Sequence, residues 1–290
     1  MAYPNDDSNE ESKKNEEMRL SIIITIYKAE RYIEQCIRSL YQHGLSIEDF
    51  EVIAVDNASP DQSIAIVQRL QLEFNNLRIT SLTHNHCAGG GRNAGLKEAK
   101  GDYIWFVDSD DYVENNFFES LYKCVKRTDS DIGCASIIRG NKNKKINLIT
   151  YKEEQIVNTT KNKYEISKIP THCYVWNKIY KASLILDNNI KFKDYTIYED
   201  LLFTPTILEV SGRLVTVPNT YYHYRKRKDS TIKNMSYKAI NDKKNNKKFL
   251  LGKCKEHDVY VNKTDSVLSK REYYIGILKI LKIYEYEMSK

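Results

Sequence analysis

LSIIITI (residues 20–26), a largely β-branched run whose only polar members are Ser21 and Thr25, opens the stretch that decides the fold. Without strict alternation of polar and apolar positions, it reads as a strand buried on both faces. The period then changes. Ile33, Cys36, Ile37, Leu40 and Tyr41 recur at i, i+3, i+4, i+7 and i+8, one stripe of an amphipathic helix that Gly44 ends. A second strand, Glu51 to Val55, stops at Asp56-Asn57, and Ser59-Pro60-Asp61 predicts an N-cap followed by proline at the first helical position. Ile64, Val67, Leu70 and Phe74 supply that helix's stripe. Leu77 to Leu82 is a third strand; after a glycine-rich turn and a short helix, Tyr103 to Val107 is a fourth, running into Asp108-Ser109-Asp110-Asp111. Strands alternating with helices predict an α/β protein with a mostly parallel central sheet flanked by helices. Such sheets bind ligands at the carboxyl ends of their strands.

Outside this stretch the signals are weaker. Residues 1 to 18 have no apolar period and read as a disordered tail. Asn141 to Lys168 is polar and lysine-rich and reads as loop. Trp176 to Tyr180, a helix-like Glu199 to Val210 and the alternating Arg213 to Tyr224 resume the fold. The last 50 residues read as helical, with Tyr273, Tyr274, Ile277, Leu278, Leu281 and Tyr284 on one face. The expected plan is a tail (1–18), one domain (19–230, its halves meeting at 130/131) and a basic helical C-terminal extension (231–290).

Composition narrows the class. At 41% hydrophobic and 29% charged, with 11 glycines and 5 prolines in 290 residues, the chain is globular rather than collagen-like, low-complexity or wholly disordered. No run approaches the ~18 apolar residues of a membrane span, and the first twenty residues lack a signal-peptide pattern. Cys36, Cys87, Cys124, Cys134, Cys173 and Cys254 form no C-x-x-C pair, which suits reduced thiols in the cytoplasm and disfavours zinc. The net charge of +6 is uneven: residues 225–290 carry 18 basic and 8 acidic side chains. That surface suits anionic lipid headgroups, a phosphorylated substrate or plain solvation. Nucleic acid is not an expected partner.

Three clusters can carry chemistry. Asp108 and Asp110, delivered at alternate positions by an apolar strand, can hold a divalent cation through hard oxygen ligands, or can merely cap the helix near Asn115. Glu199-Asp200 opens a helix, where acids are favoured by the helix dipole, and either can act as a general base toward an alcohol. Gly89-Gly90-Gly91-Arg92-Asn93-Ala94-Gly95 matches the G-x-G-x-x-A dinucleotide fingerprint but follows the third strand rather than the first. It suits an anionic or nucleotide ligand, or a plain turn.

The segments SIIITIYKAERYIEQCIRSL, EVIAVDNASPDQS and NHCAGGGRNAGLKEAKGDYIWFVDSDD, in this order and spacing, resemble the nucleotide-binding half of family 2 glycosyltransferases of the GT-A type. The resemblance continues through VWNKIY, YEDLLF and YYHYR with Ser230 beyond it. It implies a GT-A fold and an inverting enzyme of bacterial polysaccharide biosynthesis that moves a hexosyl or N-acetylhexosaminyl group. The donor implied is a nucleotide sugar, with UDP expected. The acceptor implied is a glycan or lipid-linked oligosaccharide. Position by position, Thr25 and Tyr27 border the nucleobase pocket, where Lys28 replaces the family's asparagine, and Asp56 is the nucleobase-binding acid, followed by Asn57 in place of a frequent second aspartate. Arg92 lies near the nucleotide. Asp108 and Ser109 serve the donor, Asp108 and Asp110 bind Mn²⁺ or Mg²⁺, and Asp200 is the catalytic base. Glu199, Asp111 and Trp176 are expected to face substrate, Trp176 by stacking on an acceptor sugar, and His223 and Arg225 to close over the diphosphate. The basic C-terminal region is expected to make peripheral contact with the cytoplasmic membrane face. The alternatives are a nicotinamide dinucleotide-dependent oxidoreductase built on Gly89 to Ala94, or a catalytically silent nucleotide-sugar-binding module.

Overall fold

The computed structural model describes residues 20–140, 144–226 and 236–262; the tail, Ser230 and the expected Tyr273–Tyr284 face lie outside them. In chain order the elements are β1 (Leu20–Ile26), α1 (Ile33–Leu40), β2 (Phe50–Asp56), α2 (Ser63–Gln71), β3 (Leu77–Ser81), α3 (Cys87–Leu96), β4 (Tyr103–Asp108), β5 (Tyr112–Val113), α4 (Phe117–Thr128), β6 (Ile132–Gly140), β7 (Lys145–Ile149), β8 (Ile156–Val157), α5 (Thr160–Ile166), β9 (Lys178–Lys181), α6 (Ala182–Leu186), α7 (Asp200–Val210), β10 (Leu214–Arg225) and α8 (Tyr237–Glu256).

One sheet runs through the molecule in the order β3-β2-β1-β4-β9-β6-β10-β5, with β7 added to β6 and β8 to β10. The first four strands pair in parallel, as do β6 and β10, while β9 joins the two groups by pairing antiparallel to both β4 and β6. Every side chain of β1 is buried, as its lack of polar and apolar alternation predicts. Its flanking strands are in register such that Thr25 lies opposite Asp108, and Ile26 opposite Asp56. The strand order reverses direction between β1 and β4, so the acids end at a topological switch point.

Three expectations change. The glycines at 89–91 are not a turn: they lie inside α3, and no described glycine has positive φ. Their use is close packing. A Cβ on Gly95 would stand 2.4 Å from Ile23 Cγ2 and one on Gly91 2.7 Å from Thr25 Cγ2, so α3 lies almost directly on β1. That removes the flexible loop on which the oxidoreductase alternative rested. The second helix begins at Ser63 instead of Pro60, because Asp61 Oδ1 accepts the Ser63 amide (3.1 Å) while Ser59 Oγ accepts the Lys28 amide (2.8 Å). The polar 141–168 stretch holds β7, β8 and α5; β7 is a mostly exposed edge strand, so its residues need no apolar alternation.

Inside the expected extension, α8 buries Ala239, Ile240, Leu250 and Cys254, and the Lys247 ammonium donates to Pro170 O at 2.8 Å. Among the described residues no helix is long and apolar enough to cross a membrane.

Gly95→Ala should therefore destabilise the protein by about 1–3 kcal/mol through overpacking against Ile23. Urea unfolding of the purified variant reads this as a lowered midpoint at unchanged slope.

Candidate active site

The carboxyl ends of β1, β2 and β4 form a row. Asp56 closes β2, and its Oδ1 accepts the Ser59 amide at 2.8 Å. Thr25 is buried, whereas Tyr27, one step past β1, is 41% exposed, leaving its ring open beside the row. The loops are fastened to one another. Asn57 Nδ2 donates to Cys87 O (2.7 Å), and its Oδ1 accepts the His86 amide (2.9 Å). An amide side chain does both; an aspartate could only accept. The departure at position 57 thus secures the loop leading into α3.

At the centre lies Arg92, 3% exposed. One arm of its guanidinium meets Asp108 Oδ1 at 2.8 Å, the other meets Glu199 Oε1, and its plane lies 5.2 Å from the Phe192 ring centroid. Burial opposes its charge, but the two carboxylates outweigh burial and keep it protonated. Arg92 therefore ties the end of β4 to the start of α7. Glu199, expected to face substrate, is buried and committed to this ion pair. Asp200 is the first residue of α7. Burial, then the negative charge of Glu199, pushes its carboxyl up from 3.8 to about 7; Arg92 works the other way.

The Asp108–Asp111 turn is held from β10. Arg225 donates its amide to Asp111 Oδ1 (2.7 Å), Nε to Asp110 O (2.7 Å) and a terminal nitrogen to Gln35 Oε1 (2.9 Å). Its guanidinium lies about 5 Å from the ring centroids of both Tyr32 and Tyr112. His223 is buried, stacked on Tyr112 at 4.5 Å and bonded to Glu114 Oε1 at 3.0 Å, and burial holds its ring below the usual imidazole range. Both residues, expected to close over a diphosphate, buttress the turn. Ser109 is buried, and Asp111 is wholly so; burial and the charges of Asp110 and Asp108 raise its carboxyl well above the usual range. Asp111 is thus the floor of the turn, not a substrate-facing group. Carboxylate oxygens of Asp108, Asp110 and Asp111 lie within 4.8 Å of one another, and Asp111 Oδ2 is buried without a hydrogen-bond partner. A compact set of hard, mutually repelling oxygens fits Mg²⁺ or Mn²⁺ and no softer metal.

Trp176 corrects another expectation. It is 4% exposed and stacked on Tyr174 (4.4 Å) and Tyr222 (4.2 Å), which gives it a packing role instead of an acceptor platform. Sequence reasoning also missed two residues of α8. Asn246 Nδ2 donates to Ile197 O (3.3 Å) and Tyr198 O (3.1 Å), and Asp242 Oδ2 accepts the Ile197 amide (3.3 Å). They brace the segment before Asp200, in which Tyr195 and Tyr198 adopt left-handed φ of 53° and 63°. Nothing local in the sequence announces such a long-range clamp. A separate cavity of about 360 Å³, at the far end of β4 beside Asp102, Lys126 and Lys181, holds none of the expected site residues.

A parallel α/β half whose strand ends present Asp56 and an acid turn, joined to a second half that carries Asp200 at the start of a helix, has the arrangement of a GT-A fold. The family described as Glycosyl transferase family 2 matches residues 21–187, and the chain belongs to it. It is 30% identical over 223 residues to the poly(ribitol-phosphate) beta-glucosyltransferase of Bacillus spizizenii, covering 76% of this chain and 34% of that protein. It is also 30% identical over 268 residues to the uncharacterized glycosyltransferase EpsJ of Bacillus subtilis, covering 83% and 74%. The crystal structure of S. aureus TarS 1–349 in complex with UDP-GlcNAc superposes with a TM-score of 0.72 at 27% identity, covering 84% of this chain and 68% of that one. The chain spans about a third of the length of the poly(ribitol-phosphate) transferases it matches.

Removing the central cation leaves two carboxylates facing each other in a buried site. Arg92→Met should cost about 3–5 kcal/mol of stability, measured by urea unfolding at pH 7.

Proposed function

We propose that this protein transfers a sugar from a UDP-sugar to a hydroxyl of a bacterial cell-surface glycan, inverting the anomeric carbon. The observation that carries this reading is the convergence, through Arg92, of the Asp108 turn and the Asp200 helix on one rim of the sheet. The similarity to TarS, whose structure was solved with UDP-GlcNAc, supports the donor class. The names of the poly(ribitol-phosphate) relatives support an acceptor in the cell envelope.

Each residue then has a task. Tyr27 offers an exposed ring for the uracil, and Asp56 accepts from its imide N–H. Asp108 and Asp110 hold Mg²⁺ or Mn²⁺, which, when bound, offsets the negative charge that builds on the departing diphosphate. Arg92 holds Asp108 in place. From the opposite side Asp200 removes the acceptor proton, so attack comes from the face away from the leaving group. A carboxyl titrating near 7 suits that work, being about half ionised at neutral pH and basic enough to take a proton.

Three measurements check this. UDP-GlcNAc with Mn²⁺ should raise the melting temperature of the wild type, Asp110→Asn should lose the metal-dependent part, and Asp200→Asn should keep it while kcat falls about 10²–10⁴-fold. Undiminished transfer by Asp200→Asn would remove the base assignment. The pH profile of kcat/KM should rise to a plateau with an apparent pKa near 7, as Asp200 loses its proton. Stability runs the other way. Folded Asp200 retains its proton up to about 7 whereas the unfolded group loses it near 3.8, so the stabilisation is full below 3.8 and lost as pH rises through 7. The wild type's melting temperature should fall across that window, relative to Asp200→Asn.

Peripheral membrane contact is supported by one face of α8, where Tyr237, Lys244, Lys248 and Lys255 are exposed at helical spacing. Reversing the charge of the three lysines should abolish cosedimentation with anionic vesicles at low salt; unchanged binding would count against the contact.

A further inference from the structure

Trp176 sits in the middle of an aromatic ladder. His172, Tyr174, Trp176 and Tyr222 stack in succession with ring centroids 5.4, 4.4 and 4.2 Å apart, and Tyr224 leans on both Trp176 (5.3 Å) and Tyr174 (5.8 Å). The buried end is anchored. Trp105 Nε1 donates to Trp176 O (2.7 Å), and the Asp108 amide approaches the Tyr222 hydroxyl (3.3 Å). At the other end, Tyr174 and Tyr224 are only half-buried.

The chain neighbours of these two tyrosines fix where they stand. Thr204, one turn into α7 from Asp200, donates Oγ1 to Cys173 O at 2.6 Å, which brings Tyr174 beside the base-bearing helix. The Arg225 amide on Asp111 Oδ1 brings Tyr224 beside the acid turn. Both rings therefore border the space between the proposed base and the proposed leaving-group site.

Their hydroxyls are unlike those of the other packed tyrosines. Tyr103, Tyr151, Tyr164 and Tyr180 each donate to a backbone carbonyl, those of Ser130, Ile166, Pro205 and Val175 respectively. Among the described residues the Tyr174 and Tyr224 hydroxyls make no hydrogen bond, and neither is a buried atom. Stacking fixes the rings, so each carries an unpaired hydroxyl at a set place between the base-bearing helix and the acid turn. Burial first, then the nearby acids (Asp200 at Tyr174, Asp111 at Tyr224), raises both phenols, so both stay protonated donors at neutral pH.

We propose that Tyr174 and Tyr224 are acceptor-binding residues whose hydroxyls hydrogen-bond the vicinal hydroxyls of the unit being glycosylated, turning its reactive oxygen toward Asp200. The ligand class is a polyol, either a sugar ring or an open-chain alditol. The assignment rests on the glycosyltransferase reading above. It names the part of the acceptor site that Trp176 does not supply.

Tyr174→Phe and Tyr224→Phe test it, because each deletes one hydroxyl and leaves every ring stack in place. UDP-GlcNAc and UDP-glucose serve as donors with Mg²⁺, and the acceptor probes are a ribitol-phosphate oligomer and p-nitrophenyl β-N-acetylglucosaminide, which separate alditol from sugar ring. Hydrolysis of the donor by water is followed in parallel. Each variant should raise the acceptor KM about 3- to 10-fold, as expected for one lost hydrogen bond, with donor KM and hydrolysis unchanged. Unchanged acceptor KM in both variants, an equal fall in hydrolysis, or wild-type hydrolysis without transfer to either probe would overturn the proposal. A wild type that neither binds nor turns over either donor would instead remove the glycosyltransferase reading, and the acceptor assignment with it.

Discussion

A single buried guanidinium holds the two halves of the site together. Arg92 is carried by α3, its partners Asp108 and Glu199 stand at the end of β4 and the start of α7, and all three are largely removed from solvent. One carboxylate would balance the buried positive charge but leave one arm of the planar fork unpaired; two carboxylates pair both arms and fix the angle between them, at the cost of a net negative charge. The constraint also sets the chemistry next door, because Glu199, spent on Arg92, leaves its negative charge beside Asp200. Proton affinity at the proposed base is thus raised first by burial and then by Glu199, with Arg92 opposing.

Placing Arg92 that accurately depends on how closely α3 lies to the sheet. Gly91 and Gly95, one turn apart on the same helix face, allow the approach to Thr25 and Ile23, and the parallel register of β1 with β4 then brings Asp108 within reach of the arginine. Asn57 and the Ser59–Asp61–Ser63 cluster stiffen the neighbouring loops by satisfying their amides. On the far side, Arg225 and Tyr222 of β10 fasten the acid turn, so mutually repelling carboxylates are held by backbone contacts rather than by one another. The second half supplies stiffness of another kind. An aromatic ladder runs from Tyr222 to His172, and α8 braces the strained segment before Asp200 with Asp242 and Asn246, which makes the start of the basic C-terminal region part of the site's framework.

Much of this was legible beforehand, for reasons that lie in local physics. A strand buried on both faces must be apolar throughout, so β1, β2 and β4 announced themselves, and polar residues ending such strands had to lie at the sheet's rim. The acids at 56, 108, 110 and 200 could be singled out because each interrupts or follows an apolar pattern. Where local pattern carries no such obligation the reading missed: β7 is a short, mostly exposed edge strand within a polar, lysine-rich stretch, and the glycines of α3 have the composition of a turn but the φ values of a helix.

The sequence by itself determined the alternation of strands and helices, the rim on which the acids gather and the family to which the chain belongs, because period, β-branching and the order of short motifs are properties of neighbouring residues. Tertiary structure alone decided that Glu199 is Arg92's partner, that Arg225 and His223 support the turn, that Trp176 is packed beneath Tyr174 and Tyr224, and that α8 clamps the approach to Asp200. Those assignments turn on which distant side chains consume one another's hydrogen bonds and charges, and only the folded chain brings such partners within reach.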